Sequence, residues 1–97
     1  MSRRDAEKRR SEARPGSQSQ VLPPYKVLLH NDNVHEMDYV VQAIMEVARL
    51  PKPEATERML EAHHRGVALL LVTHRERAEL FVEQFACKGL IVTIEPA

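Results

Sequence analysis

The chemistry this chain can offer lies in five histidines, one cysteine and a dense run of carboxamide and carboxylate side chains at Asn31-Asp32-Asn33. His63 and His64 are neighbours in a helical stretch, so their rings point about 100° apart and cannot share an ion as an i, i+4 pair would. A zinc site would have to recruit His30, His35 or an acidic residue, and neither an HExxH nor a CxxC spacing is present. No metal and no cofactor are therefore expected. Cys87 stands alone, which excludes an intramolecular disulfide and a cysteine cluster. Its apolar surroundings read as those of a small buried hydrophobe. Every serine lies in the first twenty residues, and Gly16, Gly66 and Gly89 are too scattered to cradle a phosphate. The chain does not read as an enzyme.

One constellation remains. If the first two helices pair, the Asn31-Asp32-Asn33 turn and His63 face each other, offering a carboxamide oxygen, a carboxylate and an imidazole. An imidazole of ordinary pKa, about 6.5, is mostly neutral at pH 7 and accepts a hydrogen bond. Acceptors gathered without a Lys or Arg suit a small cationic donor such as an ammonium group. Met37, Val40, Met59 and Ala62 would line an apolar recess beside them. The combination describes a site for an amine bearing a hydrophobic side chain. The same residues also read as ordinary turn chemistry, a helix cap, two core methionines and a half-buried structural histidine.

The elements that must position these groups are legible. Tyr25–His30 reads as a strand, and the polar turn ends it. Met37, Val40, Val41, Ile44 and Val47/Ala48 recur at helical spacing, and Pro51 and Pro53 separate that helix from the next. Ala55, Met59, Leu60, Ala62 and His63 give the second helix a mixed face, with Gly66 as its C-cap. Val67–Val72 is a continuous apolar run, as in a central strand. Thr73 and Glu76 form a capping box for a third helix built on Ala78, Phe81, Val82, Phe85 and Ala86. Gly89 ends it, and Leu90–Glu95 is the last strand. The order β-α-α-β-α-β implies an α+β two-layer sandwich: a three-stranded, mostly antiparallel sheet covered by three helices.

At 97 residues, with 43% apolar and 29% charged residues, the chain suits one small domain. Fourteen basic residues balance fourteen acidic ones and aromatic residues make up 4%, so nucleic acid is not an expected partner. No apolar run is long enough to span a membrane. The charge is divided unevenly: six basic and three acidic residues in the first twenty leave +3 there and −3 in the remainder. Residues 1–22 read as a disordered arm and residues 23–97 as the folded domain, with Pro23-Pro24 at the boundary. A monomer in the cytoplasm is expected, or in the plastid stroma if an upstream segment has been removed.

Three ordered stretches carry a resemblance. Pro23-Pro24-Tyr25-Lys26-Val27 running into Asn31-Asp32-Asn33, then Met37-Asp38-Tyr39-Val40, then Ala55-Thr56 through Met59-Leu60 to His63 and Gly66, resemble the ClpS family of adaptors for the Clp AAA+ protease. The resemblance spans residues 23–97 and implies the fold just described. It implies a non-enzymatic adaptor that captures proteins beginning with Leu, Phe, Tyr or Trp by their free amino terminus. Such an adaptor delivers them to a ClpA- or ClpC-type unfoldase. Carried over, Asn31 and His63 accept from the α-ammonium, with Asp32 and Asn33 assisting. His35, Met37, Val40, Met59, Ala62 and Leu90 line the side-chain pocket, Met37 doubling as a gate against β-branched first residues. The arm would enter the unfoldase during delivery.

The chain departs from the family pattern in several places. Asn33 stands where a second Asp is common, His35 where a small Thr is common, and Ala62 where Val is usual. A basic residue that meets the unfoldase falls at Phe81, while Glu76 keeps an acidic contact position. Two rival readings are distinguishable: a protein-interaction module resembling the C-terminal domain of the ribosomal stalk protein, indifferent to a peptide amine, and a metal-dependent hydrolase built on the histidines.

Overall fold

The computed structural model describes residues 22–97; the arm assigned to residues 1–22 lies outside them except for Leu22. The elements run β1 (Tyr25–His30), α1 (Met37–Ala48), α2 (Lys52–Arg65), β2 (Val67–Thr73), α3 (Arg75–Cys87) and β3 (Val92–Pro96). The expected α+β order is present, and both strand pairings are antiparallel.

The strand order is β2-β1-β3, so β1 is the central strand and the Val67–Val72 run lies at an edge. This corrects the sequence reading. A continuous apolar run suggests burial on both faces, but the helices cover one face only. Ala68 and Leu70 point into the core, whereas Val67, Leu69 and Val72 are exposed. The period of two holds from Val67 to Leu70 and is broken there by a bulge opposite Val27/Leu28, after which Leu71 packs against the core and Val72 is exposed.

The core lies between sheet and helices. Val27 and Leu29 of β1 and Val92 of β3 meet Val40, Val41 and Ile44 of α1, Ala55, Met59 and Ala62 of α2, and Ala78, Phe81 and Phe85 of α3. Phe81 is 3% exposed. It cannot serve as a surface contact to an unfoldase, because its ring is what α3 contributes to the core, with Arg77 stacked over it at 5.1 Å. Cys87, expected to be buried, is exposed at the end of α3.

Three ends differ in detail from the expectation. Thr73 closes β2, and the N-cap of α3 is His74, whose Nδ1 accepts from the Arg77 amide at 3.3 Å. Imidazole here does what the Thr hydroxyl was expected to do. β3 begins at Val92; Leu90 is buried in the turn before it, held by its amide to Phe85 O at 3.0 Å. Gly66 ends α2 at φ 92°, its amide returning to Ala62 O at 2.8 Å, as its C-cap role requires.

Phe81→Ala should cost about 3–5 kcal/mol in urea unfolding, the range for removing a buried aromatic ring. A loss under 1 kcal/mol would show that the ring is not part of the core.

Candidate functional site

The site is assembled by strand register. Antiparallel pairing of β1 with β2 sets His30 opposite Val67. One step further, the Asn31 amide donates to Gly66 O at 2.9 Å. The end of β1 is thereby fastened to the C-terminal turn of α2, which carries Ala62 and His63. Residues 32 apart in sequence thus share one recess, lined by Leu29, His30, Asn31, Asp32, His35, Met37, Val40, Met59, Ala62 and His63.

Within the turn, each polar group has a distinct task. Asn31 Nδ2 donates to Asn33 Oδ1 at 3.1 Å, which fixes the amide and leaves Asn31 Oδ1 as an acceptor. Asn33 itself is exposed and outside the recess lining, so it acts on the site through Asn31. Asp32 closes an Asx turn: Oδ1 accepts from the Val34 and His35 amides, both at 2.7 Å, and Oδ2 accepts from His35 Nδ1 at 2.9 Å. Partial burial pushes the Asp32 carboxyl up, but the bonds from the His35 amide, the His35 ring and the Val34 amide outweigh it. The net effect holds the group below the usual carboxylate range.

His35 is clamped from three directions. Besides Asp32, its ring stacks on Tyr39 at 4.7 Å between centroids and 14° between planes. Tyr39 in turn donates its hydroxyl to Lys88 O at 2.7 Å, tying α1 to the α3–β3 turn. Gly89 lies against the ring: a Cβ there, at φ 80°, would fall 3.0 Å from His35 Cε1 and 3.1 Å from Nε2. Both the conformation and the space require glycine.

The recess is nearly closed, with about 20 Å³ of free volume. That is space for about one water, far short of an aromatic ring. Met37 is 46% exposed at its mouth. Met37 and Met59 are the unbranched, flexible side chains in the lining, and their rotation is the low-energy way to open it. No Lys or Arg lines the recess.

Eight of the residues read from the sequence come together here: Asn31, Asp32, His35, Met37, Val40, Met59, Ala62 and His63. Leu90 does not join them; it is buried in the turn behind Gly89. Leu29 and His30 belong to the lining but were not assigned to the pocket from the sequence. Leu29 was legible only as part of the first strand, and His30 beyond that only as a metal option; its Nε2 is instead 2.6 Å from Thr93 Oγ1. Glu76 is exposed on the first turn of α3, in a separate open cleft of about 590 Å³ with Pro23, Pro24 and Thr73. Among the described residues, no group of three or more His, Cys, Asp or Glu is placed to hold a metal ion. Among them, no helix is long and apolar enough to cross a membrane.

The family model for the ATP-dependent Clp protease adaptor protein ClpS matches residues 20–92. The chain belongs to the ClpS family. It is 43% identical over 77 residues to the Clp protease adapter ClpS of Synechococcus elongatus, covering 78% of this chain and 81% of that one. It is 44% identical over 80 residues to the chloroplastic adapter CLPS1 of Chlamydomonas reinhardtii, covering 80% of this chain and 49% of the relative. Among solved structures, Agrobacterium tumefaciens ClpS2 bound to L-phenylalaninamide superposes with a TM-score of 0.74 at 28% identity, covering 77% of this chain and 98% of that one. The family is one of Clp protease adaptors without catalytic activity, which removes the hydrolase reading.

Two substitutions test this geometry. A carboxyl with a depressed folded pKa stabilises the fold above its unfolded pKa, about 3.9, and that stability is lost as pH falls through the lower folded value. The unfolding free-energy gap between wild type and Asp32→Asn is therefore expected in full at pH 7 and to shrink towards pH 2–3. A gap independent of pH would place the carboxylate outside these bonds. Gly89→Ala should cost about 1–2 kcal/mol from the left-handed backbone alone. It should also shift the His35 ring resonances in NMR, which Gly66→Ala, with open space around its Cβ, should leave in place.

Proposed function

We infer that this adaptor binds the free amino terminus of proteins whose first residue is bulky and hydrophobic, and delivers them to a ClpA- or ClpC-type unfoldase. The observation that carries the reading is the convergence of Asn31 and His63 on one recess with an apolar interior and no Lys or Arg in its lining. An α-ammonium donates three hydrogen bonds and carries one charge. Asn31 Oδ1 and His63 are acceptors for two of those bonds, and the ionised Asp32 supplies negative charge beside them. The first side chain enters between Met37, Val40, Met59 and Ala62 once the methionines swing aside. The phenylalaninamide-bound relative supports this, being a solved family member with an amino-acid amide as ligand.

Leu, Phe, Tyr and Trp are the first residues the recess would take. A β-branched first residue places a methyl group at the mouth, where Met37 stands. Glu76 offers an acidic contact to the unfoldase, and Phe81 drops out because of its burial. The cytoplasm or plastid stroma is where such delivery would occur.

Peptides that differ only in N-acetylation decide the amine requirement. Acetylation removes the charge and leaves acceptors without partners, at roughly 1–3 kcal/mol each, so binding by fluorescence anisotropy should fall by at least tenfold. His63→Ala should weaken the free peptide by a similar factor and leave the acetylated one unchanged. Met37→Ala should admit peptides beginning with Ile or Val; continued rejection of them would remove Met37 as the gate. Equal affinity for free and acetylated peptides would overturn the whole reading and favour an interaction module indifferent to the amine.

A further inference from the structure

We propose that the basic arm, residues 1–21, docks on the outward face of α3 in the same molecule. The helix packs into the domain through Ala78, Phe81 and Phe85, which leaves its opposite side without a partner among the described residues. That side holds two open clefts of about 590 and 520 Å³. They share His74, Glu76 and Glu79, so they form one continuous surface from the start of α3 to Glu83. Leu80, 49% exposed, is its apolar element.

Position, reach and charge together name the arm as the occupant. Leu22, Pro23 and Pro24 line the larger cleft with Glu76 and Glu79, so the arm begins at this surface. Pro24 is fixed there by its carbonyl, which accepts from the Ala97 amide at 2.9 Å. Arg14 stands eight residues before Leu22, a reach of about 26 Å when extended. Glu83 lies only about 11 Å along the helix from Glu76. The arm carries +3 and residues 22–97 carry −3. Glu76, Glu79 and Glu83 repeat at i, i+3 and i+7 and are all exposed. Among the described residues, Glu76 and Glu83 join no ion pair, whereas Glu79 is held by Arg75 at 3.1 Å. Arg77, the other cation on this surface, lies over the Phe81 ring at 5.1 Å. Glu76 and Glu83 therefore face Lys8, Arg9, Arg10 and Arg14, whose aliphatic stems can cover Leu80 and Pro23. Each pair is exposed, weak and screened by salt, so the arm is held without being locked. Docking covers Glu76. On the adaptor reading, the acidic contact to the unfoldase is then withheld until the arm leaves; the docking itself does not depend on that reading.

Cys87 supplies the probe. It is the chain's only cysteine, exposed, and one turn beyond Glu83, so a nitroxide attached to it marks the far end of the α3 face. In the full chain at low salt, paramagnetic broadening is read by NMR on the amides of residues 8–14. The expected result is strong broadening that falls to the level of random sampling by a tethered chain in Glu76→Gln/Glu83→Gln. The same loss is expected when Lys8, Arg9, Arg10 and Arg14 are all replaced by Ser, and in about 1 M salt, where the screening length is about 3 Å. The arm substitutions lie outside the folded domain and decide the question if the glutamate variant does not fold. Broadening in wild type no greater than random sampling gives overturns the proposal, as does broadening that survives either set of substitutions. A mixture of nitroxide-bearing protein without isotope enrichment and enriched protein without nitroxide is expected to show no broadening. Broadening in that mixture would mean contact between copies, which also overturns it.

Discussion

The candidate site depends on one backbone hydrogen bond, from the Asn31 amide to the carbonyl of Gly66. It continues the β1–β2 ladder one residue beyond the strand, at the point where the chain leaves α2 through a left-handed glycine. A one-residue slip in that ladder would turn Val27 and Leu29 out of the core, so the apolar pattern of β1 locks the register. The lock has a functional consequence. The acceptor turn after β1 and the histidine on the last turn of α2 are held beside each other by the sheet, not by any contact between their side chains. The geometry of the site is thus inherited from the sheet.

Inside that frame, the polar turn is preorganised by its own bonds. Asp32 uses both carboxylate oxygens to shape the loop and hold His35, and Asn33 orients the amide of Asn31. These bonds exist before any ligand arrives, so an ammonium bound as proposed would not have to order the loop. The apolar half of the site behaves differently. Its free volume is about 20 Å³, and the side chains that close it are the flexible methionines. A rigid polar rim with a yielding apolar interior fits a ligand whose charged end is invariant and whose side chain varies in shape.

Much of this was legible in the sequence. Pro51 and Pro53, the Gly66 cap and the spacing of Met37 to Ala48 marked the helices, because those signals are local chemistry. The turn, Met37 and His63 read equally well as ordinary turn and core chemistry, and it was the ordered resemblance to the ClpS family that singled them out. What was not legible required knowing which face each strand presents. The Val67–Val72 run suggested a central strand, yet sheet order depends on which strand finds two partners. Phe81 occupied a position that resemblance assigned to the surface, but its own apolar ring drew it into the core. The Gly89–His35 approach joins residues 54 apart that no periodicity links. Leu90 follows from the same turn: it is buried in the core but does not line the recess.

The most direct test of an ammonium held by Asn31 and His63 is an NMR titration with L-phenylalaninamide and with 3-phenylpropanamide, which differs only in lacking the amine. The account predicts that the Asn31 side-chain amide and the His63 ring resonances shift saturably with the first compound and stay in place with the second. Equal shifts with both compounds, or shifts confined to Met37 and Met59, would contradict it.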